Sequence, residues 1–216
     1  DKGPVSCLWN VPEGFDPETG TGLVLAHGAG KDMHSAFMTD MAEALARRGI
    51  LVVRFNFPYA ERAGRRPPDR APVLEATWRA VLADVRADEQ APRRLFLGGR
   101  SMGGRMASHL AADGEACDGL VFLGYPLHPA GKPERLRAEH LDRIPCPMLF
   151  VQGSRDKLCE LDRLRPLLAP LADRTQLHVI EGGDHGFNVL KRMGRSEAEV
   201  LEEIVESVAG WIQGGG

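Results

Sequence analysis

Leu95-Phe96-Leu97-Gly98-Gly99-Arg100-Ser101-Met102-Gly103-Gly104-Arg105-Met106-Ala107 is the stretch on which the reading of the chain turns. A short apolar run ends at Gly98, a G-x-S-x-G pattern occupies Gly99, Ser101 and Gly103, and a small-residue helical pattern follows. That order predicts a strand turning sharply into a helix at Ser101. Such an elbow holds its central residue at strained backbone angles and brings the outgoing helix close to the incoming strand, so small residues are needed two positions to either side. With Ser101 at the tip and a helix N-terminus beneath it, the backbone N–H of Met102 points to where negative charge would form on a substrate. Taken alone, the pentapeptide is also what a glycine-rich turn would contain, so its meaning depends on the surrounding chain.

The 216 residues suit one domain over 1–216, with 1–22 as an N-terminal edge segment and 214–216 as a flexible end. Hydrophobic residues make up 43% and charged residues 26%, close to ordinary globular composition. A net charge of −3 points to no polyionic partner, so nucleic acid is not expected. No apolar run approaches the roughly 20 residues that span a bilayer, and the start of the chain lacks a basic-then-apolar signal pattern, so neither is a membrane. The expectation is a soluble, cytoplasmic monomer or homodimer. Cys7, Cys117, Cys146 and Cys159 are scattered without a C-x-x-C pair or nearby histidines at ligand spacing. Free thiols and no metal are expected, and no cofactor is implied.

Along the chain, strand and helix patterns alternate. An edge strand fits near Val5–Val11, and Leu23-Val24-Leu25-Ala26 is a buried strand emptying into His27-Gly28-Ala29-Gly30. A helix fits Ser35–Arg47, a strand Ile50–Phe55, a polar loop Pro58–Pro72 and a helix Val73–Asp88 with Leu74, Trp78, Val81, Leu82 and Val85 on one stripe. After the elbow come strands Leu120–Leu123 and Met148–Val151, a helix Glu160–Leu171, a strand Gln176–Ile180 and a helix Glu197–Ile212. Strands apolar on both faces, alternating with helices, imply an α/β fold: a mostly parallel sheet covered on both sides and wound by right-handed crossovers.

In such a sheet the loops at the carboxyl ends of the strands share one rim, where ligands bind. Strand 95–97 delivers Ser101, strand 148–151 delivers Gln152-Gly153-Ser154-Arg155-Asp156, and strand 176–180 delivers Gly183-Asp184-His185-Gly186. A serine, an aspartate and a histidine thus reach one rim from separate strands. A serine hydroxyl needs a base, so His185 would take its proton and an acid would orient the imidazole. Asp156 is the choice for that acid. Asp184, directly before the histidine, reaches its neighbour's ring awkwardly and suits a turn.

These residues resemble the α/β-hydrolase superfamily from Leu23 to Ile212, through His27-Gly28-Ala29-Gly30, the elbow at Ser101, Gly153-Ser154-Arg155-Asp156 and Gly183-Asp184-His185-Gly186. The resemblance implies a single-domain α/β-hydrolase fold, a catalytic Ser101–Asp156–His185 set, and Ala29 as the second oxyanion donor beside Met102. More narrowly, Gly124-Tyr125-Pro126-Leu127-His128-Pro129 with the 55–70 loop is similar to the branch of testis-expressed protein thirty and the hydrolase-like subunit of a chromatin-acetylating complex. That branch implies an alternative, a hydrolase-like binding or scaffold protein with a dormant triad.

Only about two dozen residues separate Leu123 from Met148, which leaves no room for a large lid and points to a small-molecule substrate with a small or short acyl group. Arg62, Arg65, Arg66 and Arg70 lie in a loop that also opens on the active rim, where they could draw in an anionic substrate, or simply be solvated surface. His128 is a further candidate to line the pocket. Thioester or amide cleavage by the same residues stays open. A nucleotide-binding loop is set aside, because Gly98–Gly103 lacks the Walker lysine and the dinucleotide spacing.

Overall fold

The hydrophobic pattern of the strands explains the layering. In the computed structural model, which describes residues 3–64 and 67–215, successive residues of each central strand enter opposite cores. Val24, Leu51, Val53, Leu97, Leu120 and Phe122 face one side, whereas Leu23, Leu25, Val52, Phe96, Val121 and Leu123 face the other. Strands buried on both faces must be apolar at every position, which is why these segments read as continuous runs.

The strands are β1 (Cys7–Asn10), β2 (Thr21–Ala26), β3 (Ile50–Phe55), β4 (Arg94–Arg100), β5 (Gly119–Leu123), β6 (Met148–Gly153) and β7 (Thr175–Ile180). They form one sheet in the order β1-β3-β2-β4-β5-β6-β7, with β1 antiparallel to β3 and every other pair parallel. The elbow strand β4 is therefore central. Helices α3 (Ala71–Ala87), α4 (Met102–Ala112) and α5 (Leu161–Leu168) cover one face, and α1 (Ala36–Ala46) and α6 (Glu197–Gln213) the other. The stripe read on α3 is buried as expected, together with Thr77. A capping box fixes the start of α6, where the Ser196 hydroxyl accepts from Glu199 N–H and the Glu199 carboxylate accepts from Ser196 N–H. Among the described residues, no helix is long and apolar enough to cross a membrane.

Two elements depart from expectation for identifiable reasons. The segment after β3 opens with a helical turn, α2 (Pro58–Glu61), rather than with loop: Pro58 presets the backbone at its first position, and Tyr59 is buried. The helix expected to reach Leu171 ends at Leu168 and passes into a 3-10 turn over Ala169–Leu171. Pro166 and Pro170 each remove an N–H the α-helical ladder would have used. The charged residue inside β3, Arg54, is buried and holds only neutral acceptors, the Met33 carbonyl at 2.7 Å and Thr39 Oγ1 at 2.8 Å among them. All four cysteines are free, with the Cys117 and Cys146 sulfurs 3.5 Å apart at the end of the sheet opposite the elbow.

Candidate active site

Ser101 sits between β4 and α4 with φ 49° and ψ −113°, a strained conformation for a residue with a side chain. The glycines on either side make it possible. A Cβ on Gly99 would lie 2.5 Å from Gly104 N, and one on Gly103 would lie 2.5 Å from the Ala26 carbonyl oxygen. Helix and strand are in backbone contact at both points, so the elbow closes only with hydrogen as the side chain.

His185, in the loop after β7, places Nε2 2.8 Å from Ser101 Oγ and Nδ1 2.7 Å from Asp156 Oδ2. Asp156, after β6, is almost wholly buried, and its two oxygens are fully engaged: Gln152 Nε2 donates to Oδ2 at 2.5 Å and Leu158 N–H donates to Oδ1 at 2.7 Å. Asp184 has a different occupation. Its Oδ1 accepts from Gly186 N–H at 2.7 Å and Asn188 N–H at 2.9 Å, which folds the loop that carries His185. The structure thus brings together Ser101, His185 and Asp156, and leaves Asp184 to shape the turn.

Met102 is the first residue of α4, so its N–H has no carbonyl four residues back to bond within the helix. Ala29 is exposed on the β2–α1 loop and lines the same cleft as Ser101. That loop is pinned from below. His27 is fully buried and accepts the Phe57 N–H on Nε2 at 3.1 Å, so its proton sits on Nδ1 and is donated to the Gly28 carbonyl at 2.9 Å. Tyr59 donates its hydroxyl to that same carbonyl at 3.1 Å. Burial lowers the His27 pKa below the ordinary imidazole value, which keeps the ring neutral and suited to one donation and one acceptance.

The cleft over Ser101 has a volume of about 590 Å³ and an apolar wall formed by Phe37, Met38 and Leu158. Among the described residues, the basic side chains that reach it besides His185 are Lys31 and Arg100. The described arginines of the arginine-rich loop do not line it. Arg62 donates to Asp69 Oδ1 at 2.9 Å, Arg70 is an exposed residue at the start of α3, and neither lines the cleft. Arg65 and Arg66 lie outside the described residues. His128, expected at the pocket, is instead 1% exposed and turned into the body of the protein, with Nδ1 3.0 Å from the Pro129 carbonyl. Among the described residues no group of three or more His, Cys, Asp or Glu side chains is placed to hold a metal ion.

The residues of this site that carried no role in the sequence reading include Gln152, His27, Arg100 and Lys31. For Gln152 a signal existed, a polar residue extending an otherwise apolar strand, because a buried amide needs partners and so marks a polar network. The arrangement as a whole can deprotonate a serine hydroxyl, hold the resulting imidazolium against a buried carboxylate, and present backbone N–H groups to an oxyanion.

Solved structures with this architecture cover nearly the whole chain. A serine hydrolase homologue from Coxiella burnetii is 21% identical over 95% of this chain and 90% of its own, with a TM-score of 0.70. A serine hydrolase without a lid from Xanthomonas campestris is 24% identical over 99% and 88%, with a TM-score of 0.65. Est1E from Butyrivibrio proteoclasticus is 14% identical over 98% and 94%, with a TM-score of 0.73. At such identities the likeness speaks for the fold. The family model described as an alpha/beta hydrolase domain matches residues 19–213, from just before β2 to the last residue of α6, and the chain belongs to that family.

Proposed function

We propose that the protein is a serine hydrolase that cleaves carboxylic esters of small or short-chain acids through an acyl-enzyme. The observation that carries this reading is the continuous hydrogen-bonded line from Ser101 Oγ through His185 to Asp156, at 2.8 and 2.7 Å. In the first half-reaction Ser101 Oγ bonds to the ester carbonyl carbon while its proton passes to His185 Nε2. The oxyanion is received by the N–H groups of Met102 and Ala29, the C–O bond to the alcohol breaks, and His185 returns the proton to the leaving oxygen. Water then repeats the sequence on the acyl-enzyme and frees Ser101. Asp156, already hydrogen-bonded by Gln152 and Leu158, orients the ring and steadies the imidazolium.

The short-chain preference is supported by the segment between β5 and β6. Of its large apolar side chains, Tyr125, Leu127, Leu141 and Ile144 are buried in the body of the domain, and the exposed one, Leu136, does not line the cleft over Ser101, so no apolar cover for a long acyl chain comes from this segment. The test pairs a fluorophosphonate probe with p-nitrophenyl esters of increasing chain length. Covalent labelling is expected on Ser101, absent in Ser101→Ala, with kcat/KM falling from acetate toward octanoate. A protein that takes up no probe and hydrolyses none of the esters would be better described as the hydrolase-like binding protein implied by the narrower resemblance.

A further inference from the structure

Arg100 is the last residue of β4, one position before Ser101, and it is only partly exposed, with Nη1 buried. Nη2 donates to the backbone carbonyl of His185 at 2.6 Å. The guanidinium carbon lies 4.7 Å from the ring centroid of Phe37 and 4.8 Å from that of Phe187, and the two rings are themselves stacked at 5.9 Å. The three groups form a closed triangle, with a cation against the electron-rich faces of two aromatic rings. Phe187, two residues after His185, has a φ of 62°, a conformation that a bulky residue adopts only when its surroundings hold it there. The stem of Arg100 also borders the loop after β2, since a Cβ on Gly28 would meet Arg100 Cγ at 3.5 Å.

One side chain therefore touches the loop carrying His185, the loop carrying Ala29, and through the main chain the serine itself. Nη1 is buried without a hydrogen-bond partner, a cost that a purely structural arginine would ordinarily avoid. The charge is retained beside the His185–Asp156 pair. Burial lowers the Arg100 pKa to about 10, opposed by the carboxylates of Asp156 and Asp184, so the group remains protonated at neutral pH.

From this geometry we infer that Arg100 is a positioning residue that couples the nucleophile elbow to the base, fixing the His185 loop by its hydrogen bond and aromatic contacts. The inference rests on the serine hydrolase reading for its kinetic consequences; the anchoring of the His185 loop does not.

The experiment uses Arg100→Met and Arg100→Lys, each checked for a native circular dichroism spectrum. For Arg100→Met, kcat for p-nitrophenyl acetate is expected to fall about 10- to 100-fold with KM nearly unchanged, because a displaced base affects the transition state more than substrate binding. Arg100→Lys should recover only part of kcat, since an ammonium keeps the charge but not the planar contacts. A folded Arg100→Met with wild-type kcat overturns the inference, and so does one whose loss falls on KM and not on kcat. If Arg100→Met does not fold, Arg100→Lys decides: a wild-type kcat there overturns the role of the planar contacts. To separate failure here from failure of the functional reading, the His185 ring is followed by NMR in Ser101→Ala, with and without Arg100→Met and Arg100→Lys. There the Met change should shift or broaden the His185 ring signals, because the loop has lost its anchor, whether or not the protein turns over any ester. Ring signals unchanged by either substitution overturn the positioning role.

Discussion

Gln152 and Asp156, four residues apart at the carboxyl end of β6, share a hydrogen bond of 2.5 Å on the same carboxylate oxygen that faces His185. Gln152 Oε1 in turn accepts the Tyr125 N–H at 2.9 Å, so one buried amide joins the loop after β5 to the acid of the site. Replacing Gln152 by Leu should lower kcat about 10-fold and stability by about 1–3 kcal/mol, because the Tyr125 N–H is left unpaired. Gln152→Glu should be the more damaging to activity, since it sets a carboxylate against the carboxylate of Asp156. Steady-state kinetics with urea unfolding checks both. Equal activity of the Leu and Glu variants would show that the Asp156 environment is not tuned through residue 152.

The elbow glycines make a prediction about stability. In Gly103→Ala the new methyl would lie 2.5 Å from the Ala26 carbonyl oxygen and 2.7 Å from that of His27, backbone atoms that no rotamer change can move away. The expected loss is about 1–3 kcal/mol, read as a lower urea midpoint with loss of esterase activity. Gly210→Ala in α6 is the contrast, because nothing lies within 4 Å of a Cβ there. Alanine's better helix propensity should stabilise the protein by about 0.5–1 kcal/mol.

Charge selectivity should follow Lys31 and not Arg62. Lys31 is exposed and lines the cleft, whereas Arg62 is engaged by Asp69 away from it. Lys31→Gln should lower kcat/KM for a carboxylate-bearing ester about 2- to 5-fold and spare its neutral counterpart, with the difference shrinking as salt screens the interaction. Arg62→Gln should leave the ratio between the two esters unchanged. Kinetics at low and high ionic strength reads both.

Stability should decline on the acid side of neutrality in part through His140. Its ring packs edge-on against His109 at 4.4 Å, and Nε2 lies 2.7 Å from Ser108 Oγ. Burial, with the neighbouring charges of His109, Arg105 and Arg143, lowers its pKa from 6.5 to about 4. The unfolded chain then binds more protons than the folded one in that interval. The contribution is complete above about pH 6.5 and is lost as pH falls toward 4. Urea midpoints at several pH values should drop over this range, and His140→Gln should flatten part of the drop. An unchanged slope would assign the acid sensitivity elsewhere, with the buried His27 as the next candidate.

The sheet and its covering helices were legible because a two-faced strand has to be apolar throughout and an amphipathic helix has to carry a stripe. Ser101, Asp156 and His185 could be placed on one rim because chain order and strand direction determine where loops emerge. What those rules do not determine is where a side chain goes once its backbone has reached the rim. His128 arrives at the rim and then turns inward. Arg62 belongs to a cluster that reads as a positive patch, yet its charge is met by Asp69, seven residues away. Arg100 shows the converse: it stands at the centre of the motif without a role legible there, and only the folded positions of Phe37 and Phe187 reveal its contacts. The early stop at Leu168, by contrast, was there to be read in Pro166 and Pro170, which lack the N–H groups that an α-helix running to Leu171 would use.

The strand order also bears on how the protein reaches its working state. Everything before β4 builds one wing of the sheet, β1-β3-β2, and everything after it builds the other, β5-β6-β7. Ala29 comes from the first wing, Asp156 and His185 from the second, and Ser101 from the seam. The β2–β4 pairing alone joins residues about seventy positions apart, Thr21 with Arg94, a contact of the kind that forms slowly. Neither half of a nascent or partly folded chain can hold the complete site, so reactivity at Ser101 should emerge only when the two wings have docked, making a serine-directed probe a time-resolved reporter of the last step of folding.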